Sequence, residues 1–257
     1  MAFLQAEKSA GLAAAQAAGL RGFAGLIYGV AAIAIMWLFW PLFVVFLSNA
    51  PRLSAPWLAR SADAGLGLAN PLLAGAVDLA LIAAFGLQHS LMARPAFKRC
   101  LGALLAPPFQ RATYVHAANL VLFALILLWQ PIPIEVWHAQ NPMLRAVCWG
   151  AFAFGWIILL GGALSFGIDD LLGINQILEW WRNREPLPPP LKTRGLYRWL
   201  QHPMYVGVLL AVWATPVMTV GHALLAAGLT LYVLIARSYE ERDLRAHYGR
   251  AYRAWAG

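Results

Sequence analysis

The sequence predicts an all-α integral membrane protein of about six transmembrane helices, and three observations carry that prediction. The chain of 257 residues is 61% hydrophobic and only 12% charged, about half the charge of a soluble domain. Its apolar residues gather in runs that approach the ~20 residues needed to cross a bilayer. Those runs are continuous and do not alternate, which excludes a transmembrane β-barrel and leaves helices, whose backbone groups satisfy one another in lipid.

The elements follow in order. The N-terminus, with Glu7, Lys8 and many alanines, reads as a short interfacial helix. No secretory signal peptide is evident, because the first apolar run is too long for a signal's apolar region. The expected spans are Gly25–Leu47, Pro71–Leu91, Thr113–Trp129, Leu144–Phe166, Met204–Met218 and His222–Ala236. Between spans four and five lies the longest polar stretch, 167–201. It opens with GIDDLLGINQILEWW, which has helical periodicity and suits the interface, with Trp180 and Trp181 at head-group level. REPLPPPLKTRG follows, whose prolines favour an extended strap. Pro216 is expected to bend the end of span five, and Thr219–Gly221 to turn the chain into span six. The stretch Tyr239–Trp255 then reads as an amphipathic helix. Its apolar stripe of Leu244, Tyr248, Tyr252 and Trp255 should lie on the membrane surface. No linker or repeat divides the chain, so residues 1–257 form one domain.

Charge sets the orientation. With six spans, the N-terminus, the loops after spans two and four, and the C-terminus share one side. They carry all of the 19 Lys and Arg residues except Arg52, Arg60 and Arg145. This positive-inside bias puts both termini in the cytoplasm. The formal charge of +8 then needs no nucleic acid, since anionic lipid head groups account for it. Cys100 and Cys148 fall on opposite sides and give neither a disulfide framework nor a metal pair.

The chemistry-bearing residues gather at one face. Spans five and six form a hairpin with arms of about 25 Å, so both open ends face the same side. His202 and Tyr205 therefore come within reach of Arg237, Glu240 and Glu241. Carboxylates at a membrane boundary are costly unless hydrated, paired or ligated. They are either solvated partners of Arg237 and Arg245 or part of a site for a small, partly cationic ligand. Gly207 either admits a ligand to the backbone or permits close helix packing.

A resemblance narrows these alternatives. HPMYVG at a span mouth, a hairpin, EE and a YG…Y tail are similar to the isoprenylcysteine carboxyl methyltransferase and phospholipid methyltransferase superfamily. FGLQHSLMARPAFKR at 85–99, WQPIP…VW at 129–137, DLLGINQ at 170–176 and WATPVMTVGH at 213–222 resemble, more specifically, the methanethiol S-methyltransferases, the bacterial NnrU-like branch. The resemblance covers about residues 25–255. It implies a bacterial inner-membrane enzyme that makes dimethyl sulfide from methanethiol and S-adenosylmethionine. It also implies a cofactor-binding part at about 167–257, with Tyr197, His202, Pro203, Tyr205, Gly207, Arg237, Glu240 and Glu241 as cofactor-binding residues and no metal. Tyr205 or Tyr197 would face the sulfonium as a cation–π partner. The chain departs from the family pattern at Gln201 and Asn175, where arginines are expected, and at Gln110, where an acidic residue is usual. The alternatives are methylation of a larger lipid or isoprenylcysteine-type acceptor, and a non-catalytic NnrU-like membrane component.

Methyl transfer to a thiol needs a base, because the thiol is a poor nucleophile and the thiolate a good one. His89 ends span two, and Asp169 and Asp170 end span four, on the face that carries His202, Glu240 and Glu241. The expected catalytic residues are thus His89, as base or thiol orienter, with Asp169 and Asp170, since a carboxylate-oriented imidazole is a common tuned base. A small apolar acceptor pocket is expected between His89 and 169–176. His116, His138, His222 and His247 read as structural or interfacial.

Overall fold

The computed structural model describes residues 2–48, 61–182, 184 and 190–256. Arg52, Arg60 and part of the expected proline strap, residues 185–189, lie outside the described residues. Helix α1 runs from Ala2 to Ser48 as one element. The expected separate interfacial helix is therefore continuous with the first span, as a run of good helix formers with no break before Pro41 allows. Helices α2 (Pro71–Ala93), α4 (Pro107–Leu128) and α5 (Pro142–Phe166) match the next three spans, and the short α3 (Pro95–Leu104) links α2 to α4. Both α2 and α5 begin with an Asn-Pro pair. Asn70 Oδ1 accepts from the Leu72 and Leu73 amides, and Asn141 Oδ1 from those of Met143 and Leu144. The following proline sits where no amide is needed.

The interfacial stretch is two helices, α6 (Ile168–Leu172) and α7 (Ile174–Trp181), broken by Gly173 at φ 87°. Helix α7 packs on α1: a Cβ at Gly29 would meet Ile177 at 2.6 Å, and one at Gly22 would meet Trp181 at 2.7 Å. Among the described residues five helices are long and apolar enough to cross a membrane, and together with the methyltransferase match given below they make this an integral membrane protein.

The hairpin differs from expectation. Helix α8 covers only Pro203–Trp213, and Pro216 lies beyond its end rather than bending it. The expected turn at Thr219–Gly221 falls instead on the end of strand β2 (Val217–Thr219), antiparallel to β1 (Glu135–His138), and on the first residues of the next helix. Helix α9 starts at Val220 and runs to Ala256, with Gly249 at φ 53° breaking its last turns. The C-terminal stretch is thus an extension of span six. One residue of its stripe, Tyr252, beyond the Gly249 break, is buried in the protein, while Arg242, Arg245, Arg250 and Arg253 are exposed.

Two contacts set the position of α8. At its flank, Gly207 and Gly155 let α8 and α5 touch backbone to backbone. A Cβ at Gly207 would lie 2.5 Å from the Leu159 amide nitrogen, and one at Gly155 would lie 2.7 Å from that of Ala211. At the β-pair end, buried His222 bonds Asp63 through Nδ1 and the Val212 carbonyl through Nε2, both at 3.0 Å. Aromatic side chains fill the core between: Phe39, Phe43 and Phe46 of α1 pack around Trp129 and Trp156. Cys148 lines a cavity with Trp137 and Thr215 at the β-pair end, and exposed Cys100 lies on α3 at the other.

Candidate active site

At the end of the bundle opposite the β-pair, the N-terminus of α8 meets the middle of α9. His202 precedes α8, where Pro203 occupies the first helical position and packs against Gly162 of α5. His202 Nε2 bonds Glu241 Oε1 at 2.8 Å, and its Nδ1 lies 3.6 Å from Glu240 Oε2. Burial disfavours the imidazolium, but the Glu240 and Glu241 carboxylates outweigh it and raise the His202 pKa. The Tyr205 ring stacks on His202 at 5.4 Å, and its hydroxyl lies within electrostatic reach of Glu240. Glu241 is further held by Arg245 at 3.3 Å, with Arg237 at 4.0 Å. The buried Tyr252 hydroxyl faces Glu241 without reaching good hydrogen-bond geometry.

Glu240 is the more open carboxylate. It lies within electrostatic reach of Tyr114, Tyr197, Tyr205 and Tyr232. Burial first, then Glu240, pushes the Tyr197 hydroxyl up to about 12. A half-exposed carboxylate among aromatic rings is a suitable cradle for a small cation, through charge and ring quadrupoles together. Tyr114 and Tyr232 are not among the site residues expected from the sequence. Tyr232 stands eight residues before Glu240, two helical steps of four along one face, and that spacing is the signal that could have found it.

His89 lies beside this cradle. Its Nε2 is 2.6 Å from the Tyr114 hydroxyl, and the rings of Phe85, Tyr114 and Tyr232 surround it. Its Nδ1 is buried and has no hydrogen-bond partner among the described residues. Tyr114 therefore takes the orienting place expected for Asp169 or Asp170. Asp169 is exposed. Asp170 accepts from Asn175 Nδ2 at 2.7 Å and from Lys192 Nζ at 2.9 Å, and these bonds hold its carboxyl below the usual range. Neither aspartate touches His89, because Asp170 is engaged with the polar stretch instead.

The other sequence-predicted residues divide similarly. Gly207 does not face the cradle; its missing Cβ is filled by the backbone of α5. Arg237 is exposed at the rim. The two positions where arginines were expected have local roles: Asn175 bonds Asp170, and Gln201 Nε2 donates to the Ala256 carbonyl at 2.8 Å, tying the tail to the loop before α8.

The phospholipid methyltransferase family model matches residues 151–251, from within α5 through most of α9. The methanethiol S-methyltransferase of Pseudomonas deceptionensis is 40% identical over 194 residues, 76% of this chain and 74% of its own. The same-named protein of Pseudomonas sp. (strain GM41(2012)) is 38% identical over 232 residues, 90% of this chain and 86% of its own. Nurim of Sus scrofa is 29% identical over 212 residues, 77% of this chain and 76% of its own. No solved structure matches significantly. With identity of 38–40% over three quarters or more of its length, the chain belongs to the methanethiol S-methyltransferase family, a branch of membrane methyltransferases.

Proposed function

We propose that this protein uses S-adenosylmethionine to methylate a small thiol, methanethiol, giving dimethyl sulfide, at a site on the cytoplasmic face of a bacterial inner membrane. The observation that carries the reading is Tyr114. Its hydroxyl bonds His89, the proposed base, and it also lies within reach of Glu240, the proposed cofactor carboxylate. One side chain thus joins acceptor chemistry to donor chemistry. The excess of Lys and Arg on the loops of this end supports the cytoplasmic side.

The residues present fit the cofactor. Glu240 with Tyr205, Tyr197 and Tyr232 suits a sulfonium or ammonium, and Glu241 is held by His202 to receive hydroxyls. When bound, S-adenosylmethionine supplies a methyl group on a positively charged sulfur. His202 and Glu241 fix the mouth of α8 against α9. His89 takes the thiol proton at Nδ1, the nitrogen left without a partner. The acceptor sulfur must then be held about 3 Å from the methyl carbon, a positioning task.

Incubating membranes with S-adenosylmethionine and thiols of increasing size, with gas chromatography of the headspace, tests the reading. Dimethyl sulfide from methanethiol is expected, with turnover falling as the thiol grows. Equal or better methylation of a prenylated cysteine or a phospholipid would replace it with the lipid-acceptor reading.

A further inference from the structure

We propose that Arg111, at the start of α4, holds the acceptor sulfur as a thiolate; this rests on the thiol-methylation reading above. Arg111 is fixed at three points. Its Nε donates to the Leu171 carbonyl at 2.9 Å. Its Cβ and Cγ press against Gly173, where an added Cβ would lie 2.7 and 2.6 Å away. Its guanidinium stands 5.1 Å from the centre of the Tyr114 ring. Those contacts use one of its five N–H donors.

No carboxylate pairs with Arg111 among the described residues, and unlike other arginines that lack one, such as Arg198 and Arg242, it is not exposed. Arg94 has Asp243, Arg182 has Glu179, and Arg245 has Glu241. A partly buried guanidinium at the edge of a membrane is costly without an anion. Two further unpaired groups lie around it. His89 Nδ1 is buried without a partner, across the Tyr114 ring. Gln176 Oε1 is also buried without one, beside the same Gly173. A fixed cation, a free basic nitrogen and a free acceptor together suit a ligand that arrives with a proton and becomes an anion. A carboxylate would need the cation but would give the base nothing to remove, whereas an S–H group uses both.

The S–H proton passes to His89 Nδ1, and the bonding pair stays on sulfur, beside the Arg111 η N–H groups. That pair then forms the new S–CH3 bond while the old bond from methyl to donor sulfur breaks, its electrons leaving on the donor as a neutral thioether. The proton leaves His89 to water. A nearby guanidinium lowers a thiol's pKa, so Arg111 increases the thiolate fraction at neutral pH and aims it.

The test uses Arg111→Gln and Arg111→Lys in the full-length protein. Calorimetric titration should show that Arg111→Gln binds S-adenosylmethionine as the wild type does. Its kcat/KM for methanethiol at neutral pH should fall about 100-fold, the scale of losing one positioned charge-stabilising donor. The rising limb of its pH profile should move to higher pH, so that the deficit narrows in alkali. Arg111→Lys should recover part of the rate. A parallel loss of cofactor affinity would overturn the proposal, because Arg111 would then hold the donor's own carboxylate. A deficit that is the same at every pH, with the fold intact, would overturn it in favour of a tether to Leu171. If Arg111→Gln does not fold, Arg111→Lys decides by the same pH criterion. Should the wild type itself fail to bind cofactor or methylate methanethiol, the preceding reading fails, independently of Arg111.

Discussion

Gly207→Ala separates two roles for one glycine. The structure places it against α5, where the new Cβ would stand 2.5 Å from the Leu159 nitrogen and 2.7 Å from the Gly155 oxygen. Reaching the 3.4 Å of an ordinary contact requires the helices to part by about 0.9 Å, and the obstructing atoms are backbone, which cannot rotate away. Such overpacking costs about 1–3 kcal/mol, or roughly 2–4 °C of Tm per kcal/mol for a chain of this size. The displacement travels along α8 to His202, five residues earlier, and lengthens its bond to Glu241. We therefore expect a lower Tm in detergent together with weaker cofactor binding by calorimetry. Gly155→Ala, on the other face of the same contact, should reproduce both losses. Loss of cofactor affinity in Gly207→Ala at wild-type Tm, with Gly155→Ala unaffected, would refute the packing argument and return Gly207 to the ligand.

Three further predictions test the site and the topology. Tyr114→Phe removes the 2.6 Å bond to His89 and should lower kcat by about 100-fold, at the low end for a mispositioned base, while cofactor affinity stays at the wild-type value. The His202 pKa is raised above its ordinary 6.5, so its bonds to Glu240 and Glu241 stabilise the fold fully below that pH and progressively less as pH rises through the raised value; His202→Gln should flatten this part of the Tm–pH curve, and an unchanged curve would sink the pairing. Cys100 and the C-terminus should be reached by label only from the cytoplasmic side, and labelling of either in intact cells would reverse the orientation.

Hydrophobic runs made the long helices legible, because nothing but a span explains more than twenty apolar residues in sequence. The meeting of His202 with Glu240 and Glu241 followed from topology alone, since it required only that two neighbouring spans share an end. What was not legible arises from contacts distant in sequence. Arg111 and Tyr114 read as the polar start of a span until α6 and α2 are laid beside them. Asp170 read as a partner of His89 because Lys192, 22 residues away, gave no local signal of its ion pair. Gly249 looked like an ordinary residue of an amphipathic helix; only its positive φ turns Tyr252 inward. The β-pair was missed because Val217–Thr219 is too short and too apolar to be distinguished from the span preceding it.

That pair bears on how the chain gets from one side of the bilayer to the other. Helix α8, with 11 residues, rises only about 16 Å, roughly half of a hydrocarbon core of about 30 Å. The remainder must be covered by the extended residues 214–219. Backbone in that state cannot satisfy itself in lipid, and here the connection between α4 and α5 does so for it. The Ala139 amide donates to Pro216, Trp137 Nε1 donates to Thr215, and the Ile134 and Ile132 carbonyls receive the amides of Val220 and Gly221. The crossing is therefore assembled from two separate pieces of chain. An insertion between Ile132 and Ala139, in what passes for a surface loop, would interrupt a membrane span.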